Sequence, residues 1–273
     1  EHNQNAVEFC QPRYWHITRQ EQSAQQSIDR YPVIVKPVAE GGKRGITVVS
    51  GPEQLEAAVN AAFDADKRDG GILIEEYLDG GKEYSVEGLS FKGKHQIIQI
   101  TEKISSGPPH CVELGHSQPA ALSPELWTAV ERAIVELLNN VGIQYGPTHT
   151  EIKIRDGRVY LIELNSRPGG DHIAYPLTEL STGYDYIGQI IYAAAGQVPA
   201  LRDKTKPMKY AGVRFITKQT AEWKSVFDHC DNKKWLYRKH EESKTLDELE
   251  HNNGFHTNYF IYCDDVMPDF KAE

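Results

Sequence analysis

Short blocks of apolar residues set the rhythm of this chain, and glycine or proline punctuates most of them. Tyr31 to Lys36 is a β-branched run halted by Pro37, which predicts a strand ending there. A glycine-rich turn, Glu40-Gly41-Gly42-Lys43-Arg44-Gly45, leads into a second strand over Ile46 to Ser50. Leu55, Val59, Ala62 and Phe63 fall at helical spacing and predict a helix over Pro52 to Asp69. Ile72 to Leu78 reads as a strand running into Asp79-Gly80-Gly81, with two more strands over 83–91 and 94–104. Residues 105–122, with Pro108-Pro109 and Pro119, read as loop. Leu126 to Val141 is amphipathic, and Ser123-Pro124 suits its N-terminus. Two strands flank Asp156-Gly157, a bend follows at Gly169-Gly170, and a helical region covers about 175–196. Residues 1–30 read as polar and partly helical. After Lys204, aromatics, charge pairs and short strands suggest a small α+β unit.

Composition narrows the function classes. The 273 residues are 39% hydrophobic and 25% charged, ordinary for a globular chain and too apolar for disorder. A net charge of -9 with no basic patch argues against nucleic acid as a partner, while a nucleotide needs only a local positive pocket. Cys10, Cys111, Cys230 and Cys263 form no CxxC, so idle thiols in a reducing, cytoplasmic setting are expected. The longest apolar run, Tyr186 to Ala195, is too short to cross a membrane. The chain opens on Glu1 in a polar stretch, with no signal peptide, and reads as a piece whose N-terminal part is missing.

Candidate chemistry is densest in His149-Thr150-Glu151 and Glu163-Leu164-Asn165-Ser166-Arg167. Glu163 and Asn165 stand two apart on a strand and leave the same face, an oxygen set that suits magnesium. Register decides whether Glu151 joins them. A simple two-residue turn at Asp156-Gly157 would pair residue 151 with 162 and send Glu163 to the other face. Ile152 and Ile154, however, should share a face with Ile162 and Leu164, which demands an odd loop or a bulge near that turn. Glu151, Glu163 and Asn165 then project together.

Three weaker elements accompany this one. Lys36 ends a strand just before the glycine loop, where backbone N–H groups and Lys36, Lys43 or Arg44 could meet phosphate. It is not a Walker loop, and a plain turn explains it as well. Glu75-Glu76-Tyr77-Leu78 followed by Glu83 could present backbone to an adenine edge and a carboxylate to ribose, although an ordinary strand ending in a glycine turn is the plainer reading. Glu113-Leu114-Gly115-His116, with Lys103 upstream, is a polar cluster able to orient substrate or phosphate.

Taken together and in order, these elements resemble the ATP-grasp superfamily, and within it the carboxylate–amine ligases akin to the L-amino-acid (dipeptide) ligases. The resemblance is carried by YPVIVKP, GGKRG, ILIEEYLDGGKEYSVEG, VELGH and GPTHTEIKIRDGRVYLIELNSRPGGD, spanning about residues 31–200. It implies an α+β ATP-grasp fold: two subdomains sandwiching ATP, over 31–104 and 105–203, a small C-terminal α+β subdomain over 204–273, and a linker remnant over 1–30. It further implies that Lys36 contacts phosphates and that Gly41, Gly42, Lys43 and Gly45 fold over them. Glu75, Glu76, Tyr77 and Leu78 would hold adenine and Glu83 ribose; Glu151, Glu163 and Asn165 would hold Mg2+. Arg167 would stabilise the transferred phosphoryl group, with Glu113 and His116 near substrate.

Lys43 departs from the serine common in relatives, the stretch from Asp79 to Glu83 is about one residue long, and residues 1–30 lack the family's upstream lysine. The implied reaction is ATP-dependent amide or peptide bond formation through an acyl phosphate. Its partners would be a small-molecule carboxylate and amine, amino acids among them, with a homodimer left open. The piece alone would bind ATP weakly and turn over little. Rival readings are biotin-carboxylase-like or carbamoyl-phosphate-like chemistry, and a non-catalytic nucleotide-binding module.

Overall fold

Val33, Val35, Ile72 and Ile74 alternate with Ile34, Lys36, Leu73 and Glu75, and this two-residue period builds the smaller of two sheets. The computed structural model describes residues 8–21, 27–252 and 257–270. The chain enters through β1 (Phe9–Cys10) and β2 (Tyr14–Ile17), then forms β3 (Val33–Pro37), β4 (Thr47–Val49), helix α1 (Pro52–Ala65) and β5 (Ile72–Glu76). The smaller sheet has the order β2-β5-β3-β4 and is antiparallel throughout. Leu55, Val59, Ala62 and Phe63 of α1 pack on Val33, Val35, Ile72 and Ile74 in one core.

Next come β6 (Lys82–Phe91), β7 (Lys94–Ser105), β8 (Glu113–Gln118), helix α2 (Pro124–Asn140), β9 (Tyr145–Arg155) and β10 (Arg158–Asn165). Helices α3 (Thr178–Thr182) and α4 (Tyr186–Ala194) precede β11 (Tyr210–Phe215), α5 (Lys224–His229), β12 (Leu236–Glu241) and β13 (Asn258–Asp264). The larger sheet runs β1-β10-β9-β6-β7-β8-β11-β13-β12, with only β1 and β10 parallel. Its two faces differ sharply. Tyr84, Val86, Ile100 and Ile152 pack against Val130, Ile134 and Leu138 of α2. The opposite face presents Glu83, Ser85 and Glu87 of β6 in register with Lys153, Glu151 and His149 of β9.

The α+β architecture agrees with the sequence reading, and several local expectations need correction. Residues 1–30 were expected to be partly helical; the described part holds β1 and β2, with only a 3-10 turn over 19–21. Trp15 and Ile17 face the small core and carry β2 along β5. Residues 1–7 and 22–26 lie outside the described set. Residues 105–122 contain β8, whose side chains are mostly polar yet buried, so no apolar alternation announced it. Helix α1 stops at Ala65, four residues early, because the Asp66 carboxylate turns the chain by accepting the Gly71 N–H at 2.8 Å. The helical stretch over 175–196 is broken by a π-type turn over 173–177 and by Gly183 in the left-handed region at φ 65°.

The sheets part between Glu76 and Lys82, whereas the sequence reading divided the chain after residue 104. Likewise the strands after Lys204 extend the larger sheet instead of standing apart. All four cysteines are free thiols, and among the described residues no helix is long and apolar enough to cross a membrane.

Gly45 locks the glycine loop onto α1. It sits at φ +68°, and a Cβ there would lie 2.6 Å from the Ala65 Cβ, whereas one at Gly41 would meet nothing within 4 Å. Gly45→Ala should therefore cost about 1–3 kcal/mol and Gly41→Ala under about 0.5 kcal/mol. Urea unfolding of the two variants checks this, and equal midpoints would contradict it.

Candidate active site

The register of β9 and β10 assembles the carboxylates. Asp156 (φ 51°) and Gly157 (φ 73°) make a two-residue turn that pairs Arg155 with Arg158. Leu161 lies opposite Ile152, then one residue is skipped and Glu163 lies opposite Glu151. The skipped residue, Ile162, is a β-bulge, so a bulge and not an odd loop brings the two glutamates to one face, farther from the turn than expected. Ile162 thereby leaves the α2 side, where it was expected beside Ile152, and faces the cleft. Asn165 pairs with His149, two residues along the same face.

Between the sheets lies a cavity of about 520 Å3. Lys36, Gly41, Gly42 and Lys43 form its small-sheet wall; Glu113, Glu151, Glu163 and Arg167 form the other. A narrower recess of about 50 Å3 adjoins it through Lys36, Lys43, Ile46 and Ile162, and is bordered by Glu75, Glu76, Tyr77, Leu78 and Glu83. The Glu76 and Tyr77 N–H groups are already donated to the Arg13 and Pro32 carbonyls, at 2.8 and 3.1 Å. Three expected residues fall outside the cavity wall. Gly45 packs on α1. His116 is fully buried behind Glu113, its ring edge-on to Phe215 at 6.0 Å. Asn165 keeps a buried amide nitrogen without a hydrogen-bond partner.

Charge is concentrated here. Lys103, with 2% of its side chain exposed, lies 2.6 Å from Glu113 and 2.9 Å from Glu151. Burial alone would pull its pKa down, but Glu113 and Glu151 outweigh that and raise it. In return Glu113 is held at about 2: burial opposes ionisation, and Lys103 and then His116 override it. Glu151 is held well below the usual range against its burial, by Lys103 and Lys43. Burial drives His116 down to about 3, so it is neutral. His149 goes the other way, to about 9, because the paired Glu87 carboxylate overcomes desolvation. Asp171 is pushed up to about 7, chiefly by burial and then by the Glu113 charge. Lys36 pairs with Glu75, and Lys153 lies 3.5 Å from Glu83.

Sequence reasoning gave no role to several residues the structure brings in. Glu87 binds His149 and also accepts the Gly169 N–H at 2.9 Å, tying the Gly169-Gly170 bend to the sheet. Its signal was a lone carboxylate in the run Tyr84 to Leu89. Glu40 receives Arg44 at 2.8 Å across the glycine loop. Asn252 lines the cavity from the far end of the chain and carried no signal. A cluster of Glu113, His116 and Asp171 places potential ligand atoms within 4.8 Å of one another, and Lys103 lies against Glu113 as it does against Glu151.

Comparison with known proteins agrees with this geometry. Residues 29–175 match the family model described as "ATP-grasp domain". The chain is 35% identical over 144 residues to a D-alanine–D-alanine ligase of Flavobacterium psychrophilum, covering 50% of this chain and 42% of that one. It is 30% identical over 197 residues to the 2-oxoglutarate carboxylase small subunit of Hydrogenobacter thermophilus, covering 70% and 40%. The chain thus spans about two fifths of the length of these relatives. Its fold resembles the crystal structure of an L-amino acid ligase from Bacillus licheniformis, with a TM-score of 0.75 at 22% identity over 97% of this chain and 66% of that one. With the family match covering over half its length, the chain belongs to the ATP-grasp family.

Proposed function

We propose that the chain is the ATP- and Mg2+-binding portion of a ligase that joins a carboxylate to an amine through an acyl phosphate. The observation that carries this reading is the pairing of Glu151 with Glu163 on one face, across a single cavity from Lys36 and the glycine loop. Two carboxylates with a nearby amide oxygen are hard donors that suit Mg2+, with Asn165 two residues along the face from Glu163. When bound, Mg2+ would neutralise charge on the transferring phosphoryl group.

The chain's own residues supply the rest. The recess beside Glu75 to Leu78 takes adenine, Glu83 accepts ribose hydroxyls, and Lys36 and the glycine-loop N–H groups take phosphates. A substrate carboxylate oxygen attacks the γ-phosphorus, the bond to the β-phosphate oxygen breaks, and ADP leaves. Arg167, on the cavity wall, faces the developing charge. The amine then attacks the acyl carbon and phosphate departs. Glu113, held ionised by Lys103, is placed to receive an ammonium-bearing substrate, with His116 supporting it from behind. We infer small-molecule partners, amino acids among them, and a cytoplasmic setting, for which the unpaired cysteines speak. A carboxylase reading draws on the 30% likeness to the carboxylase subunit; product analysis with bicarbonate against amino acid pairs separates the two.

Glu163→Gln in the intact enzyme should cut ATP-dependent phosphate release by roughly a hundredfold or more while leaving the unfolding midpoint near the parent's. Phosphate release at the parent rate would overturn the metal assignment.

Lys36→Met should weaken Mg–ATP binding by about one to two decades, since a charge-assisted contact to phosphate is lost. Calorimetry with Mg–ATP measures this directly; unchanged affinity would remove Lys36 from the phosphate site.

A further inference from the structure

Three parts of the chain far apart in sequence meet at Asn252. Its backbone N–H donates to the Gly42 carbonyl at 3.0 Å, in the middle of the glycine loop. Its side-chain Oδ1 accepts the Glu113 backbone N–H at 3.1 Å. Asn252 is buried and lines the same cavity as Lys43, Glu113 and Arg167. It stands on a firm post. Leu249, three residues earlier, packs with Val112, Phe215 and Tyr259, and Gln219 binds both the Leu249 carbonyl at 2.8 Å and its N–H at 3.3 Å.

The glycine loop belongs to the smaller sheet, between β3 and β4, whereas Glu113 and the Leu249 post belong to the larger one. The bond to Gly42 therefore crosses the cleft. A loop with φ of 69° at Gly42, 62° at Lys43 and 68° at Gly45 has a backbone shape set by its glycines, and the Arg44–Glu40 pair holds it only within itself, so its tie to the larger sheet depends on contacts across the cleft. In such a segment one or two hydrogen bonds decide between open and closed. An asparagine suits this place, because its side-chain oxygen accepts the Glu113 N–H without adding a negative charge to a cavity that already holds Glu113, Glu151 and Asp171, while its backbone N–H serves Gly42.

We propose that Asn252 is a positioning residue that latches the glycine loop closed over the nucleotide phosphates and ties that closure to the placement of Glu113. This rests on the nucleotide-binding reading of the cavity. The latch is not alone: the Val48 N–H also crosses the cleft, to the Pro109 carbonyl at 3.2 Å, so its loss loosens the loop without freeing it.

Trypsin reads the loop directly, since Lys43 and Arg44 are cleavage sites within it. In the intact protein, Asn252→Leu keeps the backbone N–H that meets Gly42 but removes the side-chain acceptor that ties position 252 to Glu113, so the latch loses its anchor on the larger sheet while the side-chain volume is kept. It should speed cleavage after Lys43 and Arg44 roughly five- to tenfold and raise KM for ATP by a similar factor, with a smaller change in kcat. Asn252→Asp keeps both hydrogen bonds but adds a negative charge beside Glu113, so it should be cleaved more slowly than Asn252→Leu without nucleotide. Parent-rate cleavage of Asn252→Leu, or Asn252→Asp cleaved as fast as Asn252→Leu, overturns the latch. Failure of the parent to bind Mg–ATP would instead refute the nucleotide reading, and the nucleotide-free cleavage comparison would still judge the latch. Should Asn252→Leu not fold, hydrogen exchange in the parent decides: Mg–ATP slowing the Asn252 and Glu113 amides together supports the latch, and an Asn252 amide that does not respond overturns it.

Discussion

An ammonium group shut away from water stays charged only where carboxylates surround it, and Lys103 imposes that condition on the whole cleft. It sits on β7, reaches Glu113 on β8, and spans β6 to reach Glu151 on β9. Ser85, the β6 residue opposite both Thr101 and Glu151, is short enough to let the long side chain pass over it. Removing Lys103 would take the shared cation from both buried glutamates, whereas removing either glutamate would leave the ammonium with one partner instead of two, which is why the three form a unit across four strands. The polar face of the larger sheet follows from this, since its charged side chains pair with one another and cannot be covered by an apolar layer.

A second buried pair sets the far side of the cleft. Glu87 holds His149 in its protonated form and accepts the Gly169 N–H at 2.9 Å with its other oxygen. The bend that carries Arg167 and Asp171 is thus anchored to β6 and not left to its glycines. A Cβ at Gly169 would lie 2.7 Å from Glu87 and 2.8 Å from His149, so the close approach needs glycine there. The site's geometry rests on two charge clusters, one fixing the carboxylates and the other the bend.

β3, β4 and β5 of the smaller sheet and the hairpin carrying Glu151 and Glu163 were legible because each buries one apolar face, and the two-residue period survives in the sequence. The bulge was legible only as a necessity: apolar spacing demanded a register shift, but nothing local marked Ile162 as the residue to be skipped. β8 was missed for the reason that makes it functional, since Glu113, His116 and Gln118 are buried among polar partners and look like loop in a hydropathy pattern. The position of β6 and β7 in the larger sheet was also hidden, because pairing partners far along the chain leave no periodic trace. Asn252 is the extreme case: its role comes entirely from where the fold brings it, 139 positions from the N–H it accepts.

Ionisation within the cavity has a consequence for how cations are received. Glu151 is held toward its ionised form, because Lys103 and Lys43 lower its pKa well below the usual range against the pull of burial. A divalent ion coming to Glu151 therefore meets ammonium groups as its competitors. Lys43 is the movable competitor, since it rides on the glycine loop, whereas Lys103 is fixed within the sheet. Phosphate entering beneath the loop would offer Lys43 a partner besides the Glu151 charge that it faces, so a nucleotide and a cation would favour each other through one side chain. A neutral side chain at position 43 could not couple the loop to Glu151 in this way.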